Sequence, residues 1–186
     1  MRRLLVALGL AAVLTGALGL SLSACSTSYP HAGTEILGKS FPRVRGASLD
    51  GKEYVLPDAF AGAPVLLLIG YEQDTQFDLD RWLLGLQQAG VQVRTHELPT
   101  IPGLVPGLFA GRIDAGMRSG IPKEDWPAVI TIYRDGADVA RFTGNENRLP
   151  GRIVLLDAQG RVAFFHDRGY SVATLQRLQD ALAKLR

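Results

Sequence analysis

One cysteine, at position 25, is the only thiol in these 186 residues. No disulfide can form within the chain, and nothing after position 25 can supply a thiolate for disulfide exchange, peroxide reduction or covalent catalysis. Histidine is also scarce, at His31, His96 and His166. His96 is followed by Glu97 and His166 by Asp167. On a strand, adjacent side chains point to opposite faces, so neither pair makes a chelate. No metal site and no cofactor is expected. The sequence has no G-x-S-x-G elbow, no H-E-x-x-H and no glycine loop ending in lysine, the usual marks of hydrolases, zinc peptidases and phosphate binders. It has neither a basic stripe nor an acidic run, so nucleic acid is not an expected partner.

What is present begins with a leader. Arg2 and Arg3 precede an almost wholly apolar stretch, Leu4 to Leu22, and then L-S-A-C ends at Cys25. The charged start and apolar middle are those of an export signal. The L-S-A-C segment resembles the lipobox of bacterial lipoproteins. That resemblance implies a signal peptide over residues 1–24 and lipid attachment at Cys25. It places the folded part in the cell envelope, anchored by its lipid and facing the periplasm, and Ser26 favours the outer membrane. The rival reading is an uncleaved anchor, since about 20 apolar residues can cross a bilayer. Loss of the leader would remove two arginines and no acid, so the formal charge of +2 would fall to zero. The 162 residues left are enough for one well-buried domain.

Residues 25–40 are small and polar and read as a flexible tether, with His31 exposed and without a role. A domain over 41–186 follows. Gly46 to Leu56 reads as a hairpin turned at Asp50-Gly51. Val65 to Ile69 is a continuous apolar run, the pattern of a strand covered on both faces. It leads through Gly70 and Tyr71 into a helix with Asp74 or Thr75 as cap and an apolar stripe at Leu79, Trp82, Leu83 and Leu86. Val91 to Leu98 alternates as a strand parallel to the first. A helix over about 107–118, with a weak face at Leu108, Ile113 and Met117, precedes a strand over 128–133 and a short helix over 137–143. Strands at 152–156 and 162–166 form a second hairpin. The last helix, 171–185, carries Val172, Leu175, Leu178, Leu182 and Leu185 behind an Ser171 cap. Trp82 and Trp126 read as core or cleft-wall residues.

This order, and the stretch Phe41 to Pro64 ahead of the central strand, resembles thioredoxin-like proteins of the peroxiredoxin and thiol–disulfide oxidoreductase type. The resemblance implies an α/β fold, a central mixed sheet flanked by helices with an N-terminal hairpin. It places the family's redox positions at Asp74 and Phe77, where this chain has no cysteine, so thiol redox activity is not expected. Leu149-Pro150 falls where that family carries a cis-proline, with trans as the alternative. The groove between those two loops would be lined by Tyr71, Asp74, Phe77 and Pro150. A narrower resemblance, in M-R-S-G-I-P, G-N-E-N-R-L-P-G-R-I-V-L-L-D-A-Q-G-R-V and G-Y-S-V-A-T-L-Q-R-L, is to the mitochondrial ATP synthase assembly-factor family, and implies a chaperone-like role.

The acids Glu72, Asp74, Asp78 and Asp80 crowd the start of the central helix, where they complement its positive end. Paired carboxylates also perform acid–base work when their environments differ. Two functional expectations result. One is a protein-binding or assembly module with a protein or peptide partner. The other is a non-thiol enzyme or small-ligand binder working through carboxylates near Asp74.

Overall fold

The computed structural model describes residues 28–102 and 106–185. The leader and Cys25 lie outside them, as does the side chain of Leu108. Two sheets organise the domain. The first hairpin, β1 (Val44–Ser48) and β2 (Glu53–Leu56), joins β5 (Ile130–Thr131) in an antiparallel sheet of order β2-β1-β5. The second sheet has the order β4-β3-β6-β7. In it β3 (Val65–Gly70) runs parallel to β4 (Arg94–Pro99) and antiparallel to β6 (Arg152–Leu156), which pairs antiparallel with β7 (Val162–His166). Isolated parallel bridges, Glu97 with Val129 and Thr100 with Ile132, connect the two sheets.

The apolar run of β3 is buried throughout because the sheet is covered on both sides. Val65, Leu67 and Ile69 face one cluster with Leu56, Phe60, Ile132 and Val139. Leu66 and Leu68 face the other, against Leu79, Trp82 and Leu86 of α1 (Gln76–Gln88) and Leu175, Leu178 and Leu182 of α4 (Val172–Ala183). Between these helices in the chain come α2 (Pro106–Gly120) and α3 (Gly136–Thr143). Ser171 caps α4 as expected, accepting from the Thr174 N–H. Trp82 is core, with its ring edge-on to Tyr170 at 5.3 Å. Trp126 is half-buried and donates to the Ile121 carbonyl.

Several boundaries differ from the sequence reading. The strand expected from Val91 starts at Arg94, because residues 90 and 91 close α1: Gly90 takes φ +62° and the Val91 N–H donates to Leu86 O at 3.0 Å. The strand expected over 128–133 is confined to Ile130 and Thr131, since a 3₁₀ segment, Lys123–Ala128, occupies its start. Val172 is not part of the α4 stripe. It lies beside the cap, 74% exposed, and burial begins at Thr174 and Leu175.

The largest correction concerns the tether. From Tyr29 onward the segment is bound to the domain. The Tyr29 N–H donates to Asn145 Oδ1 at 2.8 Å, and the Tyr29 carbonyl accepts from Asn145 and Glu146 N–H, both at 2.9 Å. His31 Nδ1 lies 2.6 Å from Asp167 Oδ2, and Ile36 is buried in the core. Gly38 and Val162 then pair through Gly38 N–H and the Val162 carbonyl at 2.8 Å. Ile36, Tyr29 and Ala32 are the apolar residues that make this docking favourable.

Candidate functional site

The site lies where β3 ends and α1 begins. Tyr71 follows β3 with the same parity as Leu67 and Ile69, so its side chain turns into their cluster. Its hydroxyl is 2.6 Å from Thr143 Oγ1. Tyr71 is therefore buried and does not line the groove, contrary to the sequence expectation. The turn after it is closed by Thr75, whose Oγ1 accepts from the Glu72 N–H at 3.3 Å and donates to the Arg148 carbonyl at 2.9 Å. That second bond ties the turn to the facing loop, as does the looser pairing of Arg148 with Glu72 at 3.9 Å.

Two buried charged residues set the shape of the facing loop, and the sequence reading missed one of them entirely. Arg152, first residue of β6, has no exposed surface. Its guanidinium donates to the carbonyls of Gly144 (3.0 Å), Pro150 (2.5 Å) and Asn147 (2.5 Å). Its Cζ lies over the Tyr71 ring, 5.3 Å from the centroid. Burial lowers the pKa of this guanidinium, opposed by Tyr71 and Asp167. Asp78 is the second. In sequence it reads as one of the acids that complement the helix start, but its carboxylate is buried and accepts from two loops: Oδ2 from the Gly151 N–H at 2.9 Å and Oδ1 from the Tyr170 N–H at 2.8 Å. A Cβ at Gly151 would come against the end of the Leu79 side chain, so glycine lets that N–H approach without displacing Leu79.

Above this base is an open groove of about 410 Å³, lined by Asp74, Phe77, Asp78, Arg81, Leu149, Pro150 and Gly169. Asp74, Phe77 and Pro150 thus come together in one lining. Phe77 is 67% exposed and Leu149, unforeseen, 54%. The expected cis bond at Leu149-Pro150 is absent; the cis peptide among the described residues is Leu56-Pro57. In the trans form the Pro150 carbonyl is one of the three held by Arg152.

The acids do not form a paired set. Both oxygens of Asp78 are engaged by backbone, and Asp80 accepts from Gln76 Nε2 at 2.8 Å. The same Gln76 amide donates to Glu97 at 3.1 Å. Burial raises the Glu97 pKa, the Gln76 bond opposes it, and Asp80 and Asp125 add to it. The histidines are dispersed. His96 stacks on Phe60 at 4.7 Å, and His166 Nε2 contacts the Gly169 carbonyl at 2.7 Å. Among the described residues no group of three or more His, Cys, Asp or Glu side chains is placed to hold a metal ion.

This architecture is thioredoxin-like. The exposed lipoprotein thioredoxin Etrx1 of Streptococcus pneumoniae is similar over 75% of this chain and 99% of its own, with TM-score 0.52 and 16% identity. Copper-bound yeast Sco1 matches over 81% and 94%, with TM-score 0.57 and 13% identity. The thiol peroxidase of Chromobacterium violaceum matches over 82% and 87%, with TM-score 0.51 and 15% identity. At these identities the likeness shows the fold alone. No protein-family model matches the sequence, and no curated protein is significantly similar to it.

Proposed function

We propose that this is a thioredoxin-fold lipoprotein of the cell envelope that works without redox chemistry, as a protein-binding or assembly module. Lipid at Cys25 anchors it to a membrane on the periplasmic side, and the groove beside α1 holds an extended segment of a protein partner. The observation that carries the reading is the pair Phe77 and Leu149, two large apolar side chains left exposed in the lining of one groove. Isolated exposed apolar residues are ordinary, but a pair in one groove over a rigid base is a surface made to be covered. The base is rigid because Arg152 and Asp78 hold the loop backbone from beneath. The walls offer shape and apolar area, and no thiol is among the residues that line them.

Phe77 provides the test. Covering the exposed part of its ring removes on the order of 100 Å² of apolar surface, which stabilises a complex by roughly 2 kcal/mol at 25 cal/mol/Å². Phe77→Ala should then weaken partner binding about 30-fold, since 1.4 kcal/mol is a factor of ten. A photoreactive residue at position 77 should cross-link a defined partner in cells. The same residue at Leu84, exposed on the same helix but outside the groove, should not. Equal cross-linking from both positions, or partner binding indifferent to Phe77→Ala, would refute the groove as the binding surface.

A further inference from the structure

The backbone around the groove is largely engaged by the fold itself. The carbonyls of Asn147 and Pro150 are held by Arg152, and that of Arg148 by Thr75. The Leu149 N–H donates to Asn147 Oδ1 at 3.3 Å, the Gly151 N–H donates to Asp78, and Pro150 has no N–H. On the other loop the Tyr170 N–H donates to Asp78 and the Gly169 carbonyl contacts His166. A segment laid in this groove finds few main-chain groups to pair with as an added strand, so its selection falls to side chains.

Those side chains fall in a simple order. Asp74, Phe77 and Arg81 line the groove at spacings i, i+3 and i+7, which puts them on one side of α1 and the turn before it. All three are exposed. At 1.5 Å per residue the two charges stand on the order of 10 Å apart along the axis, with Phe77 between them. Leu149 adds apolar surface to the same lining. Among the described residues neither the Asp74 nor the Arg81 side chain has a hydrogen-bond or ion-pair partner. The other charges nearby do have partners. Asp78 accepts from two backbone N–H groups and Asp80 from Gln76, while Glu72 lies 3.9 Å from Arg148 and Arg168 lies 3.9 Å from Asp167. One unused anion and one unused cation thus stand at the two ends of an apolar strip.

We propose that the groove selects an extended segment presenting, at alternate positions on one face, a basic residue, a large apolar residue and an acidic residue. The basic residue meets Asp74, the apolar one meets Phe77 and Leu149, and the acidic one meets Arg81. This deepens the binding reading above and rests on it. Alternate residues of an extended chain share a face at intervals of about 6.7 Å, so the outer two lie about 13 Å apart. The flexible stems of lysine, arginine and glutamate take up the difference of about 3 Å from the spacing of Asp74 and Arg81. A segment whose outer charges have the same sign meets one attraction and one repulsion instead of two attractions.

The test uses isotope-labelled full-length protein in a nonionic detergent and four peptides with blocked ends: Lys-Ser-Leu-Ser-Glu, Lys-Ser-Leu-Ser-Lys, Glu-Ser-Leu-Ser-Glu and Gln-Ser-Leu-Ser-Gln. Each is titrated to millimolar concentration, and binding is read from the amide shifts of Phe77 and Leu149. The mixed-charge peptide should bind about fivefold more tightly than either like-charged one, since an exposed ion pair contributes up to about that factor. The preference should fade in high salt. Arg81→Glu should make the doubly basic peptide the tightest, and Asp74→Lys the doubly acidic one. A flat ranking, or one that neither variant changes, overturns the selection by charge; if Phe77→Ala still weakens every peptide, the groove itself stands. Absence of shifts for all four peptides also overturns the selection. Affinities indifferent to Phe77→Ala overturn the groove as binding surface and the selection with it.

Discussion

Arg152→Met removes the guanidinium while leaving a stem of similar reach on β6. Three carbonyls lose their donor, and hydrogen bonds to a charged group contribute about 1.5–3 kcal/mol each. The three are not equivalent. Gly144 is buried, so its carbonyl keeps only the long bond from Thr143 Oγ1 at 3.5 Å, whereas Asn147 is exposed and Pro150 half-buried, and theirs can turn to water. The contact over the Tyr71 ring is lost as well, about 1 kcal/mol. Against these stands relief from holding a charge away from water, which costs several kcal/mol before compensation. The net destabilisation is about 3 kcal/mol. A domain of this size loses about 2–4 °C of Tm per kcal/mol, so thermal unfolding followed by circular dichroism should fall by about 6–12 °C. Arg152→Lys should recover only part, since one ammonium cannot span three carbonyls in the way a planar fork does. Amide exchange should rise across 144–150 in both variants before it rises in β3. A Tm within about 2 °C of the parent for Arg152→Met, against the 6–12 °C expected from that scaling, would show that the loop holds its shape by other means.

Two further outcomes follow from neighbouring residues. Asp78→Asn replaces one acceptor oxygen by an amide that faces an N–H, so one of the Gly151 and Tyr170 bonds is lost and its donor orphaned. Unfolding in urea should show a loss of about 2–3 kcal/mol, and a change below about 0.5 kcal/mol, the usual size of a surface effect, would mean that the carboxylate does not bridge the loops. His96 gives a pH signature. Burial lowers its pKa, Ala128 opposes this, and Arg94 and Lys52 add to it, with Tyr54 and Phe60 the rings around it. As pH falls through about 6.5 the unfolded chain takes up a proton that folded His96 refuses, so stability falls toward acid. Glu97 acts the other way: burial raises its pKa, so the unfolded chain ionises first and stability falls as pH rises from the usual carboxylate range. His96→Phe should preserve the stack on Phe60 and flatten the loss of urea midpoint between about pH 7 and 5.5; an unchanged slope would assign that loss to other groups.

The order of elements was legible because it rests on periodicity. The two-sided burial of β3, the stripe of α1, the second hairpin and the Ser171 cap all follow from spacing that chain geometry dictates. What was not legible depended on tertiary partners. Tyr71 was assigned to the groove from its place after the strand, although the alternation that put Leu67 and Ile69 in one cluster carries it into the same cluster. Asp78 read as one more acid at a helix start, because nothing local shows that two distant loops bring N–H groups to it. Arg152 heads the apolar run I-V-L-L, in phase with Val154 and Leu156, and a cation in that phase was the available hint of a buried guanidinium. The tether misled for a related reason. Its small polar composition is that of a linker, and the few anchors in it, Tyr29 and Ile36, acquire meaning only against Asn145 and the core.

The misreadings of Tyr71, Asp78 and Arg152 share a direction, and it bears on function. Each polar group is satisfied within the fold, Asp78 and Arg152 by backbone and Tyr71 by the Thr143 hydroxyl. Asp78 has spent both oxygens, Arg152 has engaged three carbonyls, Thr75 bridges the two loops and the Tyr71 hydroxyl meets Thr143. Acid–base catalysis needs a group whose proton is free to move toward a substrate, and these are fixed as parts of a frame. The groups left facing the groove are Asp74, Phe77, Arg81, Leu149 and Pro150: one anion, one cation and three apolar surfaces. A frame held this firmly beneath them keeps a shape, and a kept shape is what recognition of a partner segment requires. Rigidity under the groove reduces the freedom lost on binding.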